Sequence, residues 1–275
     1  MAEAKSYFPF LLLCSSIMRT HNLLTGNKMS AFPRMPFHHI LITLLLLGIH
    51  PMSYGVAIGH APAVGDTLHG APCVDKQENF GPFDYLLRKN LPGELRIVEK
   101  YHFTPQVEQL IAPVSSTHVL GEISYTLKAW PNHHRALNSA VIHRVRTWGN
   151  RSSEYLKYSP AECWLQRAIK FSPKDATVYM LYGILLHQTG FMRKAAENYE
   201  KALQLEPNNV QAQYNFALLL ASQKKYSEAK KYALELYSRG YPLPGLKEKL
   251  KKAGKWSKED EELLSSGSGG VSVVQ

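Results

Sequence analysis

Prolines at positions 131, 173, 207 and 242 each follow a run that reads as the end of an amphipathic helix, and this punctuation makes the second half of the chain a repeat array. The clearest unit spans residues 176–209, where Gly183, Gly190, Ala195, Tyr199, Ala202, Leu203, Leu205 and Pro207 hold fixed offsets. The next unit, from Val210, repeats the design with Ala217, Tyr226, Ala229 and Ala233, at a period of 34 residues. Antiparallel helices approach closely only where small side chains face each other. Gly183 and Ala217 at the eighth position, with Ala195 and Ala229 at the twentieth, therefore let bulky neighbours interdigitate. Gly190 supplies a left-handed stop for the first helix of its unit, and Pro207 helps stop the second. Lys224-Lys225-Tyr226 makes the corresponding turn without glycine, which predicts strain there.

Read backwards from Pro173, an earlier unit has its second helix over 160–171, with Ala161, Leu165, Ala168 and Ile169 spaced as in the later units, and its first helix over 134–148. Its bracketing prolines stand 42 residues apart, and Gly149-Asn150-Arg151-Ser152-Ser153 is the loop that holds the excess. Residues 122–130 end in Leu127-Lys128-Ala129-Trp130-Pro131-Asn132, much like Leu203-Gln204-Leu205-Glu206-Pro207-Asn208, and read as a lone second helix. Its expected partner is 104–111, opened by the cap pair Thr104-Pro105. The expected organisation is an N-terminal extension over 1–57, an irregular extended arm over 58–103, a divergent half-repeat over 104–133, and repeats over 134–175, 176–209 and 210–242. A capping helix with a charged segment follows over 243–263, and the Gly/Ser-rich tail 264–275 reads as disordered. In the arm, Gly81-Pro82-Phe83-Asp84-Tyr85 and Leu91-Pro92-Gly93-Glu94 read as turns whose aromatic neighbours dock on the repeats.

A helix–turn–helix of this length with these small and aromatic positions resembles the tetratricopeptide repeat. The resemblance implies an all-α fold, a right-handed α-solenoid with an irregular arm and a capping helix, whose first helices line a concave groove. Positions two, five, nine and twelve of each unit would face that groove. They are Arg135, Asn138, Ile142 and Val145, then Thr177, Met180, Ile184 and His187, then Gln211, Tyr214, Leu218 and Ala221. Such a mixed apolar and polar surface suits an extended peptide or a partner helix. It lacks the Lys and Asn pattern with which some family members clamp a carboxylate tail. Residues 81–256 are further similar to a group of exported bacterial tetratricopeptide proteins of unassigned activity. The likeness is carried by Gly81-Pro82-Phe83-Asp84-Tyr85, Tyr101-His102-Phe103-Thr104-Pro105, Tyr125-Thr126-Leu127, Pro131-Asn132-His133-His134-Arg135-Ala136-Leu137 and Gly240-Tyr241-Pro242-Leu243-Pro244-Gly245-Leu246. It implies a periplasmic scaffold and no reaction. The stretch before Met29 and the Lys224-Lys225 turn depart from that group.

The N-terminal extension carries an address. Residues 40–49 are nearly all strongly apolar, preceded by Arg34, His38 and His39 and followed by Pro51, Ser53, Gly55 and Ala57. That is the layout of a secretory signal, too short to span a bilayer comfortably, and it predicts an exported, periplasmic chain with membrane association only if the segment stays uncleaved. Cleavage after Gly55 or after Ala57 satisfies the small-residue rule equally, and Met29 or Met35 as first residue gives a more ordinary signal. Signal removal takes Cys14 and leaves Cys73 and Cys163. In an oxidising compartment these two are a candidate disulfide, closing a loop of about 90 residues that chain entropy values at about 4–5 kcal/mol. Cys163 fits equally a buried small hydrophobe in a helix.

Other chemistry is sparse. His133 and His134 are adjacent, and adjacent histidines on a helix point in different directions, so the pair makes a poor chelator. The reading is a capped helix start with Arg135 paired nearby. No nucleophile elbow, phosphate-cradling loop or metalloprotease helix is present, so no enzyme activity, cofactor, metal or small-molecule substrate is expected. The formal charge of +10 over 275 residues falls to +7 without 1–57, and the lysines of 247–258 are followed at once by Glu259-Asp260-Glu261-Glu262. Alternating blocks of this kind form a solvated face rather than a phosphate-tracking surface. Three function classes compete: an exported scaffold that binds a protein or peptide, a metal- or haem-binding accessory protein using the His-rich half, and a cytosolic nucleic-acid-binding protein.

Overall fold

The helices of this chain start and stop by one recurring device. Side chains of Asp175 and Asn209 accept the backbone N–H groups of Thr177 and Ala212 at 3.2 and 3.0 Å, capping two first helices. At the far end of the 176 helix, Gly190 adopts φ +91°, Phe191 N–H donates to the Leu186 carbonyl at 2.8 Å and Gly190 N–H to that of His187 at 3.2 Å. This left-handed terminus returns at Gly240 and Gly254, and at two non-glycines, Leu110 and Lys224, each with φ 62°. The strain expected of that turn is therefore held at Lys224.

The structure is a computed structural model that describes residues 61–75, 80–149 and 157–267, all within one compact unit, Gly55–Gln275. Among the described residues there are eleven α-helices and no strand. They are α1 Pro92–His102, α2 Pro105–Glu108, α3 Val119–Ala129, α4 His134–Arg146, α5 Ala161–Phe171 and α6 Ala176–Gln188. After these come α7 Met192–Leu205, α8 Val210–Ser222, α9 Tyr226–Ser238, α10 Gly245–Lys252 and α11 Lys258–Gly267. A short 3-10 turn, Tyr85–Leu87, precedes α1.

The first helix of each pair packs on its sequence neighbour and on the next but one, the pattern of a nearest-neighbour stack: α4 on α5 and α6, α6 on α7 and α8, α8 on α9 and α10. The small residues do the steric work expected of them. A Cβ on Gly183 would lie 2.7 Å from the Tyr199 ring, so only glycine admits that fully buried tyrosine between α6 and α7. Leu137, Val141, Leu165, Val178, Leu185, Leu186, Leu219 and Leu220 fill the layers between pairs.

The amino-terminal half departs from the expected organisation in three ways. The arm is not irregular throughout, because residues 92–102 form α1. Pro92 occupies the first helical turn, where its missing N–H is harmless, Glu94 lies in that turn and Lys100 and His102 in the last. The partner of α3 is α1, which packs on it more extensively than the single short turn α2, so 104–111 is not the matching helix. Tyr85, Val98, Ala129 and Trp130, with Phe83, Leu91 and Leu95, form the core of this first pair. At the other end the charged segment is a second terminal helix, α11, running to Gly267 into what was expected to be disordered. Ser257 and Asp260 start it as a reciprocal box, Asp260 accepting the Ser257 N–H at 2.7 Å. The signal segment and cleavage sites, the loop over 150–156 and the tail from 268 onward lie outside the described residues.

Candidate functional site

The first helices α4, α6 and α8 carry the residues expected to face a groove, and the structure divides them into two sets. Asn138, Val145, Thr177, Ile184, His187, Gln211 and Leu218 are partly exposed, including the apolar Ile184 and Leu218. His187 Nε2 meets Ser222 Oγ at 3.2 Å, tying α6 to α8 across this face. Burial pushes the His187 imidazole down to about 4, with Lys249 of α10 adding to the effect, so it is neutral at physiological pH.

The remaining expected groove residues are otherwise engaged. Tyr214 is fully buried because α10 lies on α8. Its hydroxyl accepts the Leu246 N–H at 3.1 Å, and its ring packs tilted against that of Tyr241, centroids 4.8 Å apart. Tyr241 in turn donates to Gln211 Oε1 at 3.0 Å. The position that faces a groove in an inner repeat thus receives the capping helix in the last one. Ile142, Met180 and Ala221 are buried as well, as packing between successive first helices. Arg135 reaches Glu108 with both Nε and Nη2, the Nε contact at 2.9 Å, and Glu99 with Nη1 at 3.1 Å, and its guanidinium lies 5.3 Å over Phe103. It joins α4 to α1 and α2, and the acidic partners from earlier in the chain, rather than a ligand, account for its presence.

The histidine-rich half is a polar clasp. Asn132, fully buried, donates to Asp84 Oδ1 at 2.7 Å and to Asp175 Oδ2 at 2.8 Å, and accepts the Tyr85 N–H at 2.8 Å. His134 Nε2 meets Asp175 at 2.8 Å, and Ser172 donates to Asp84 at 3.1 Å. This network fastens the 81–85 segment to the α3–α4 turn and to the cap of α6. His133 caps α4 by accepting the Ala136 N–H at 3.2 Å and meets Glu99 at 3.2 Å, and burial holds its imidazole below the usual value despite that carboxylate. His102 meets the buried Glu122 at 2.8 Å, and the backbone N–H groups of Ser115 and Ser116 donate to the same carboxylate at 2.6 Å each. Burial alone would raise Glu122, but Ser116, His102 and Ser115 together hold it at about 2. Among the described residues no group of three or more His, Cys, Asp or Glu side chains is placed to hold a metal ion.

One feature went unread in the sequence. Arg144 and Glu162 form a buried bidentate pair between α4 and α5, with Nε to Oε2 at 3.0 Å and Nη2 to Oε1 at 2.9 Å. Separated by the long insert, they have no spacing that marks them. The candidate disulfide of the sequence is present: Cys73 and Cys163, with Cα atoms 5.5 Å apart, join a strap over 61–75 to α5.

Stacked antiparallel helix pairs with close contacts at small residues and a half-exposed row on the first helices define a helical-repeat binding array. Models of the tetratricopeptide repeat family match residues 176–209 and 198–231, covering α6 and α7 in one frame and the end of α7 through α8 in another. Residues 176–231 are tetratricopeptide repeats. Such repeats mediate protein–protein interaction and are in general non-catalytic. Comparison with curated proteins finds no match.

Proposed function

We propose that this chain is an exported, non-enzymatic scaffold that takes a protein or peptide partner on the first-helix face of its repeats. The observation that carries this reading is the row Thr177, Ile184, His187, Gln211 and Leu218, left partly exposed on adjacent helices most of whose other apolar side chains are buried. Ile184 and Leu218 offer apolar contact, while Gln211, Thr177 and neutral His187 offer hydrogen bonds, the mixture an extended segment or a partner helix uses. Binding needs no cofactor or small-molecule substrate, and the balanced charge of the carboxyl-terminal helices, where Lys247 and Lys251 pair with Glu261, favours a protein over nucleic acid. Export to a periplasm-like compartment is supported by the apolar stretch 40–49 with its small-residue exit, and by a disulfide of the kind oxidising compartments preserve.

The test is a pair of charge substitutions, Ile184→Glu and Leu218→Glu, at partly exposed positions that leave the repeat core alone. Partner recovery after crosslinking in intact cells is expected to fall at least tenfold, about 1.4 kcal/mol or more, with unchanged circular dichroism. Undiminished recovery with the helical signal intact overturns the assignment of this face.

A further inference from the structure

The strap over 61–75 rests on the repeats with little of its own to hold it there. Ala61 and Cys73 are its only buried residues, and its regular structure amounts to a single bridge between Asp66 and Pro72. Its other attachments are polar and shallow. Asp66 and Gln166 exchange hydrogen bonds at 3.3 and 2.7 Å, Leu68 N–H donates to Glu162 Oε1 at 3.1 Å, Ser159 donates to the Val74 carbonyl at 2.9 Å, Asp75 pairs with Lys128 of α3 at 3.5 Å, and His69 stacks on Trp148 at 5.1 Å. Hydrogen bonds near water contribute little net stability, and so small a buried apolar area does not offset the entropy of ordering a segment of this length. The covalent bond to Cys163 is what keeps the strap in place.

That bond is also within reach of a reagent. Both cysteines line an open cavity of about 500 Å³, walled by Tyr125 and Tyr158 and carrying Lys128 and Lys157. Asp75, also on the wall, pairs with Lys128 at 3.5 Å, and the Lys157 ammonium favours the approach and formation of a thiolate. The array does not need the strap, since the cores of α6 to α9 are built from Leu185, Leu186, Tyr199, Leu219, Leu220 and Leu236, all on the repeats themselves.

We propose that residues 61–75 form a redox-latched strap, which a dithiol reductant releases from α5 while the repeat array stays folded. One thiolate of the reductant attacks Cys73 Sγ and expels the Cys163 thiolate, which takes up a proton. The second thiol of the reductant, deprotonated, then attacks its own sulfur in the mixed disulfide and expels Cys73, which is protonated in turn. The protein gains two electrons and two protons, and the reductant leaves as its own disulfide. Release uncovers the α5 face that carries Glu162, Cys163 and Gln166, a surface distinct from the first-helix row.

Hydrogen exchange read by mass spectrometry on the full chain tests this, before and after dithiothreitol with alkylation to confirm reduction. The amides of Leu68, Ala71 and Cys73 are expected to exchange at least about tenfold faster after reduction, with α6 to α9 unchanged. The double variant Cys73→Ser/Cys163→Ser is expected to show the same pattern without reductant. Strap protection that survives in the reduced chain or the double variant overturns the latch. So does a bond that resists dithiothreitol until the chain is denatured, or protection lost in α6 to α9 together with the strap.

Discussion

Arg144→Met strands a charge in the middle of the first full repeat. Glu162 has no solvent exposure, and Arg144 meets both of its oxygens, at 3.0 and 2.9 Å; the substitution leaves the carboxylate with the Leu68 N–H at 3.1 Å. Methionine fills most of the volume of the arginine stem but supplies no donor, and it also removes the guanidinium stacked 4.7 Å over Trp148. Breaking a buried pair from one side costs about 3–5 kcal/mol, because the remaining ion keeps its desolvation penalty without its compensation. For a folded region of about 200 residues each kcal/mol moves Tm by about 2–4 °C, so the melting transition followed at 222 nm is expected to drop by about 6–20 °C. Arg144→Met/Glu162→Met removes both ions, and its stability is expected to return to within about 2 kcal/mol of the parent. A single variant within about 1 kcal/mol of the parent, or a double variant less stable than the single, would refute the reasoning.

Three further outcomes follow from named contacts. Gly183→Ala drives a Cβ to within 2.7 Å of the Tyr199 ring; overpacking of about 1–3 kcal/mol outweighs about 1 kcal/mol of helix propensity, and urea unfolding is expected to show a net loss of about 1–2 kcal/mol. Lys224→Gly relieves a left-handed helix terminus held by a non-glycine and is expected to raise stability by up to about 1 kcal/mol, read as a higher urea midpoint; a lower midpoint contradicts the strain assigned there. Acid stability has two contributions of the same sign. Glu122, held at about 2 against 4.5 when unfolded, stabilises above pH 4.5 and loses on the order of 3 kcal/mol as pH falls toward 2. His187, held at about 4 against 6.5, binds its proton mainly in the unfolded chain, so its share is complete above pH 6.5 and fades as pH falls toward 4. His187→Gln is expected to flatten the stability profile between pH 7 and 5 by about 2 kcal/mol, and an unchanged slope there contradicts the assignment.

The repeats were legible because their constraint is local and periodic. Gly183, Ala195 and Gly190 each mark a steric or backbone requirement that recurs 34 residues on, Pro207 repeats Pro173 at the same period, and α6 to α9 lie where those marks placed them. What escaped was set by long-range pairing. Leu91, Leu95 and Val98 do carry a helical stripe, and Pro92 with Glu94 is a start signal, but Gly93 beside a proline also reads as a turn; only packing on α3 decides between them. The Ser257-to-Asp260 box was a readable start for α11 hidden inside a charge run. For the candidate site, position within the repeat identified which helix face a residue occupies but not what lies over it. Tyr214 shares its offset with Met180, yet the following element is a capping helix that buries it, and Arg135 meets carboxylates 27 and 36 residues earlier. Nothing in the spacing of Arg135, Glu108 and Glu99 announces that arrangement.

The claim that the first-helix row receives a partner is tested most directly by a photo-crosslinking residue placed at Ile184 in one chain and at the exposed, second-helix position Lys201 in another, each irradiated in intact cells. The account predicts a discrete higher-mass adduct from position 184, identifiable as a protein by mass spectrometry, and none of that mass from position 201. The same adduct from both positions, or from 201 alone, would contradict it.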